Sequence, residues 1–208
     1  MSYTIKVIGV GPGHQGYLTQ LGQEAITQAE VLIGAQRLLE VFALPGQETI
    51  PLGADLQQAA AIIKRENEAK KIAVLVSGDT GLYSFATTLT RLLPDHQFDF
   101  IPGISSVQLM FARLQLPWQG VAILSRHGRQ DNRLAGLVQA GMIVAVLTDE
   151  INTPQTLAQE LLELGCGDLA VTVGCNLSYE QEILYRGTLS SLINSQEKYS
   201  NCVVVIGV

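Results

Sequence analysis

Cysteine is scarce in this chain, and the few present are scattered. Cys166, Cys175 and Cys202 are the only three in 208 residues. They form neither a CxxC pair nor a cluster with histidine, so neither a zinc site nor a disulfide framework is supported. Free thiols suit a reducing compartment, and a cytoplasmic location is expected. Positive charge is also short: 13 Lys and Arg stand against 19 Asp and Glu, for a net charge of −6. A chain of that balance lacks the broad basic field that nucleic acids and anionic membranes require. No apolar run approaches the ~20 residues needed to span a bilayer. Met1 leads directly into an apolar strand pattern, so no secretory signal is expected. Histidine occurs three times, at His14, His96 and His127, without metal-ligand spacing. There is no Walker loop, no Gly-x-Ser-x-Gly elbow and no His-Glu-x-x-His. Phosphoryl transfer, acyl transfer through a serine and zinc hydrolysis therefore have no signature here. What remains is a reaction between positioned ligands.

The chain is 47% hydrophobic and 15% charged, enough to bury a substantial core. Strand-like runs at 4–10, 31–33, 72–76, 99–101, 121–124, 143–147, 170–174, 182–187 and 202–206 alternate with helical patterns. The helical patterns cover 20–29, 55–68, 84–93, 105–114, 132–139 and 154–164. Thr19 and Thr153 read as N-caps, with Pro154 at a first helical position. This alternation predicts an α/β fold with mostly parallel sheets. From Ala170 onward the order strand, turn, strand, short helix, strand points to antiparallel additions. Pro117, Trp118 and Gly120 interrupt the pattern, so two α/β domains are expected, 1–115 and 120–208.

Three glycine-rich stretches each end a strand. The first is Gly9-Val10-Gly11-Pro12-Gly13. It differs from a dinucleotide loop, Gly-x-Gly-x-x-Gly: His14 stands at the third glycine position, and Pro12 lacks the donor a helix N-terminus would offer. After Val31–Ile33 come Gly34, Ala35 and Gln36, with no acid to hold a ribose. The second stretch is Ser77-Gly78-Asp79-Thr80-Gly81-Leu82-Tyr83. Asp79 there could bond a ribose hydroxyl or an amine, or could cap the following helix together with Thr80. The third is Ile101-Pro102-Gly103-Ile104-Ser105-Ser106, whose serines could cap a helix or face a ligand. Ligands of open α/β sheets bind beyond the carboxyl ends of strands, and three such ends in one small domain say more than any one.

The second half contributes charge. Arg113, Arg126, Arg129 and Arg133 lie between Asp99 and Asp149 with Asp131 as the sole acid. Arginine forks match carboxylates, so Ser125-Arg126-His127-Gly128-Arg129 with Arg133 suits a small anionic ligand, or else forms a solvated loop. Leu147-Thr148-Asp149-Glu150 follows another strand, and its acids read as loop caps.

In this order the stretches resemble the tetrapyrrole methylase family. The resemblance rests on the Gly-x-Gly-Pro-Gly loop at Gly9–Gly13, the Gly78-Asp79 turn and the Pro-Gly-Ile-Ser-Ser turn at Pro102–Ser106, and it covers essentially the whole chain. Within the family, Ser125–Arg129 and Gly174-Cys175-Asn176-Leu177 are most similar to the carbon-5 methyltransferases of cobalamin biosynthesis, although Cys175 stands where many relatives have Glu. The resemblance implies two α/β domains, with S-adenosylmethionine folded in the interdomain cleft, and a homodimer. It places Gly11, Pro12 and Gly13, Asp79 and Leu82, Ser105 and Ser106, and from the second domain Leu147 and Asn176, on the methyl donor. It implies precorrin-7 or its cobalt form as the tetrapyrrole substrate, and a separate decarboxylating carbon-15 methyltransferase as partner. Arg126, Arg129 and Arg133 would then receive substrate carboxylates, with Arg37 and Arg113 as weaker candidates, and His127 could take the proton lost after transfer. No metal is expected. The rivals are another tetrapyrrole methylase, such as a uroporphyrinogen methyltransferase, and a non-catalytic adenine-nucleotide module.

Overall fold

The computed structural model describes residues 3–199 and 201–208. The chain divides into two compact units, Met1–Ser105 and Ser106–Val208.

The first unit is a five-stranded sheet. In chain order it contains β1 (Ile5–Gly9), α1 (Gln20–Gln28), β2 (Val31–Gly34), α2 (Gln36–Phe42), β3 (Glu48–Pro51), α3 (Leu56–Asn67), β4 (Ile72–Val76), α4 (Phe85–Leu92) and β5 (Phe98–Ile101). The spatial order is β3-β2-β4-β1-β5, and every neighbouring pair is parallel. β1, β2 and β4 are nearly uninterrupted apolar runs because both faces of the sheet are covered. One face packs Ile8, Leu32, Ala73 and Leu75 against α1 and α2. The other packs Val7, Val31, Ile33 and Val74 against α3 and α4. Each fully buried Val, Leu or Ile adds roughly 1.5–3 kcal/mol of transfer free energy. Thr19 caps α1 through Gly22 N–H, and Asp55 caps α3 through Gln57 and Gln58 N–H.

The second unit contains α5 (Ser106–Leu114), β6 (Ala122–Ser125), α6 (Leu134–Gln139), β7 (Val144–Leu147), α7 (Pro154–Glu163), β8 (Ala170–Cys175), β9 (Ile183–Thr188), α8 (Leu189–Ile193) and β10 (Cys202–Ile206). Its sheet order is β6-β7-β10-β8-β9. Only β6 and β7 pair in parallel; β7–β10, β10–β8 and β8–β9 are antiparallel. The parallel expectation thus describes the first sheet fully and the second in a single pair. The antiparallel character expected after Ala170 prevails because β10 inserts between β7 and β8. α6, α7 and α8 cover one face of this sheet through Leu134, Val138, Leu157, Leu161, Leu189 and Leu192. On the opposite face Gly174 makes room for Met110 of α5: a Cβ there would meet Met110 Sδ at 2.5 Å. α5 therefore groups with the second unit, and Gln115–Gly120, expected to join the domains, follows it within that unit. Thr153 caps α7 with Pro154 in the first turn, as expected.

Candidate functional site

β4, β1 and β5 are adjacent and parallel, so the three glycine-rich turns leave the same edge of the first sheet. The chain after β1 passes to α1 on one face, while the chain after β4 passes to α4 on the other. Connections that diverge in this way open a crevice at the strand ends, the usual ligand position in an open α/β sheet.

The turns are bonded to one another. Gly78 N–H donates to Gly11 O at 2.8 Å, and Gly11 N–H donates to Gly78 O at 3.2 Å. A Cβ on Gly9 would lie 2.6 Å from Gly78 O, and one on Gly103 would lie 2.3 Å from the carbonyl oxygens of both Gly78 and Gly9. Glycine at 9 and 103 is therefore required by backbone packing between turns. Gly11 and Gly78 have φ of +82° and +66°, where an L side chain is strained.

Asp79 completes the cluster. Its Oδ1 accepts from Gly81 N–H at 2.8 Å and its Oδ2 from Gly103 N–H at 3.1 Å. It does not cap α4; Ser84 does, through Ala86 N–H. A carboxylate offers about four acceptor positions, so two remain for a ligand hydroxyl or ammonium. Pro12, Asp79 and Leu82 are half-buried, Gly11, Gly13 and Ser105 buried, and Ser106 half-buried at the first residue of α5.

The loop after β1 departs from a dinucleotide site in structure as in sequence. It enters a short 3-10 turn at Gln15–Tyr17, and α1 begins only at Gln20. No helix N-terminus meets the glycines to hold a pyrophosphate. His14 caps the 3-10 turn by accepting Gly16 N–H. Arg37 of α2 donates to Ser77 Oγ at the end of β4.

In the second unit β6, β7 and β8 run in the same direction, because β10 is antiparallel to both β7 and β8. The turns after Ser125, Leu147 and Cys175 accordingly share one edge. Arg126 departs from the role its motif suggests. Its side chain is 4% exposed and paired with Glu160 of α7 at 2.7 Å, with a further bond to Gln130. Its Nε is buried without a partner among the described residues. Its guanidinium is spent holding the β6 turn to α7 and is closed to a substrate carboxylate. Arg129 is exposed; Arg133 is exposed too, in a 2.6 Å pair with Asp131. The Arg133 hydrogen bonds draw the Asp131 carboxyl down to about 2. Arg113 is engaged by Glu182 at 2.6 Å.

Asp149 caps its own loop, as its place after the strand suggested, and also reaches the turn after β6. Its Oδ1 accepts from the Ile151 and Asn152 backbones and its Oδ2 from Gly128 N–H at 2.8 Å. Burial pushes its carboxyl up, but these backbone donors and the Asn152 amide outweigh burial and bring it down to about 2. Asn152 Nδ2 also donates to Arg126 O at 2.8 Å. No periodicity reports such a link, although Asp149 with Asn152 is a recognisable Asx-turn spacing. Leu147, half-buried, ends β7, and Asn176 follows β8 with φ +49°. Cys175 and Cys202 face each other across β8 and β10 as buried thiols that form no disulfide. Among the described residues no group of three or more His, Cys, Asp or Glu could hold a metal, and no helix is long and apolar enough to cross a membrane.

Residues 4–193 match the family model described as Tetrapyrrole (Corrin/Porphyrin) Methylases. The chain is 30% identical to the probable cobalt-precorrin-7 C(5)-methyltransferase of Methanocaldococcus jannaschii, covering 98% of each chain. It is 32% identical to the cobalt-precorrin-7 C(5)-methyltransferase of Salmonella typhimurium, over 97% of this chain and 98% of that one. Among solved structures, uroporphyrin-III C-methyl transferase from Thermus thermophilus, complexed with S-adenosylhomocysteine, superposes with a TM-score of 0.83. That match is 19% identical and covers 99% of this chain and 97% of the other.

Proposed function

Because this chain belongs to the tetrapyrrole methylase family, we propose that it is an S-adenosylmethionine-dependent C-methyltransferase acting on carbon 5 of precorrin-7 or cobalt-precorrin-7. The observation that carries the proposal is the bonded cluster of the Gly9–Gly13, Gly78-Asp79 and Pro102–Ser106 turns at the switch point of the first sheet. The full-length similarity to two carbon-5 methyltransferases supports the choice of substrate.

The residues fit a folded methyl donor. The backbone around Gly11–Gly13 gives a close approach without a helix N-terminus, which suits a nucleoside without phosphates. Asp79 keeps acceptor capacity for the donor's ammonium or ribose while it fixes the second and third turns. Leu82, Ser105 and Ser106 line the neighbouring turns, and Leu147 and Asn176 are the donor contacts assigned to the second unit. The donor, when bound, supplies a sulfonium methyl for in-line transfer to a nucleophilic meso carbon. Holding the pair in line is worth on the order of 7–11 kcal/mol of barrier, so the chain needs no nucleophile of its own. Arg129 and Arg133 receive acetate or propionate carboxylates of the substrate. The active form is a cytoplasmic homodimer working beside a separate decarboxylating carbon-15 methyltransferase.

Calorimetry with S-adenosylhomocysteine, NAD and ATP, followed by mass-shift assays across tetrapyrroles, tests the reading. Binding of the first ligand alone and a one-methyl gain on precorrin-7 or cobalt-precorrin-7 are expected. Methylation of uroporphyrinogen instead would reassign the substrate; equal or tighter binding of NAD would overturn the donor site.

A further inference from the structure

The turn that carries His127 is exposed, yet it is held more firmly than a solvated loop requires. His127 N–H donates to Ser125 Oγ at 3.3 Å, and Ser125 is 1% exposed. Arg126 N–H donates to Leu147 O at 2.8 Å, and Arg126 O accepts from Asn152 Nδ2 at 2.8 Å. Gly128 N–H donates to Asp149 Oδ2 at 2.8 Å. The backbone on both sides of the histidine is thus tied to the end of β7, while the imidazole itself remains exposed.

The ring is fixed as well. His127 Nδ1 lies 3.2 Å from Thr148 O. A carbonyl oxygen can only accept, so Nδ1 carries the proton of the neutral ring and the lone pair sits on Nε2. Thr148 is itself anchored, its N–H and Oγ1 both donating to Cys202 O at 3.1 Å. Resting on the function proposed above, we infer that His127 is the proton acceptor of the methyl transfer, with Asp149 and Asn152 as the positioning residues that hold its turn. As the new C–C bond forms, the S–CH3 bond breaks and its electron pair stays on sulfur, leaving neutral S-adenosylhomocysteine. The methylated meso carbon then loses its proton to His127 Nε2, and the imidazolium passes it to water. The charged groups nearest in the fold are Arg126 and Arg129 on its own turn and Asp149 and Glu150 in the loop after β7 that its ring contacts, with Glu160 of α7 paired to Arg126.

Two readouts test this. Long-range proton–nitrogen NMR of the wild-type protein reads the tautomer without any substrate: a protonated Nδ1 and a bare Nε2 are expected, and Asp149→Ala should return the ring toward the opposite tautomer. A wild-type ring protonated on Nε2 would overturn the inference. Kinetically, His127→Ala should fold and bind S-adenosylhomocysteine as the wild type does while kcat falls about 100-fold or more, the usual span for general-base loss. The fall of wild-type kcat toward acid pH should disappear in the variant, and added imidazole should restore part of the rate. His127→Ala with kcat within threefold of wild type would overturn the inference. A wild-type protein that shows the tautomer but methylates no tetrapyrrole would instead remove the function on which the acceptor role rests.

Discussion

Gly103→Ala is the sharpest perturbation of the three-turn cluster. The new Cβ would stand 2.3 Å from both Gly78 O and Gly9 O, against a floor of 3.0 Å for real Cβ contacts. The shortfall, 3.0 less 2.3, is 0.7 Å, and it falls on backbone atoms rather than on the yielding end of a side chain. The movement has to come from the paired Gly11–Gly78 bonds and from the Asp79 bond to Gly103 N–H. Three such bonds, each with a net value of about 0.5–1.5 kcal/mol and the charge-assisted one at the upper end, put the loss at roughly 2–4 kcal/mol. Gly136→Ala is the control: in α6 a Cβ meets nothing within 4 Å, and the lower entropy of the unfolded chain should stabilise by about 0.4–1 kcal/mol. Urea unfolding measures both variants, and calorimetry with S-adenosylhomocysteine measures the site. Gly103→Ala should weaken binding at least tenfold at a temperature where the protein is still folded. Unfolding within ~0.5 kcal/mol of wild type, with unchanged binding, would refute the claim that the turns act as one body.

Asp79→Ala should weaken S-adenosylhomocysteine binding and cost about 1–3 kcal/mol by leaving Gly103 N–H unsatisfied; intact affinity by calorimetry would make the residue a purely structural clasp. Arg129→Ala should raise KM for the tetrapyrrole severalfold and leave donor affinity unchanged, read from initial rates and calorimetry. Arg126→Ala should lower unfolding stability by about 2–4 kcal/mol because it leaves Glu160 without its partner and opens a cavity, while Arg126→Met, which fills the space but strands Glu160 equally, should recover only the cavity's share; a KM effect without a stability effect would return Arg126 to the substrate. The carboxyls of Asp149 and Asp131 lie near 2 in the folded protein, below their ordinary 3.8. Their stabilisation is therefore complete above about pH 4 and is lost as pH falls through the folded values. Melting temperature should drop across that window, and Asp149→Asn should flatten its share of the fall.

Sequence pattern located the elements whose burial is one-sided or complete. β4 and β10 run as expected, at Ile72–Val76 and Cys202–Ile206, because every residue in them is buried and apolar. β3 escaped because Glu48–Pro51 is a polar edge strand, largely exposed. α2 escaped because it is short and its N-cap is Ala35, which has no side-chain cap to mark it. The strand-end turns were legible as a set, since glycine at tight approaches leaves a mark in the sequence. What each polar side chain does there was not. Asp79 could be read as a ligand contact or a helix cap, and the bond by which it joins two turns was in neither reading; Arg126 looked like a ligand fork and instead is buried against Glu160. Both depend on partners more than 20 residues away, which local spacing does not encode.

The most direct test of the account is transfer of a carbon-13 methyl from labelled S-adenosylmethionine by the purified chain, with the product read by NMR and mass spectrometry. The account predicts one labelled methyl on carbon 5 of precorrin-7 or cobalt-precorrin-7, with S-adenosylhomocysteine formed in equal amount. A label at any other position, or donor bound but never consumed with either substrate, would contradict it.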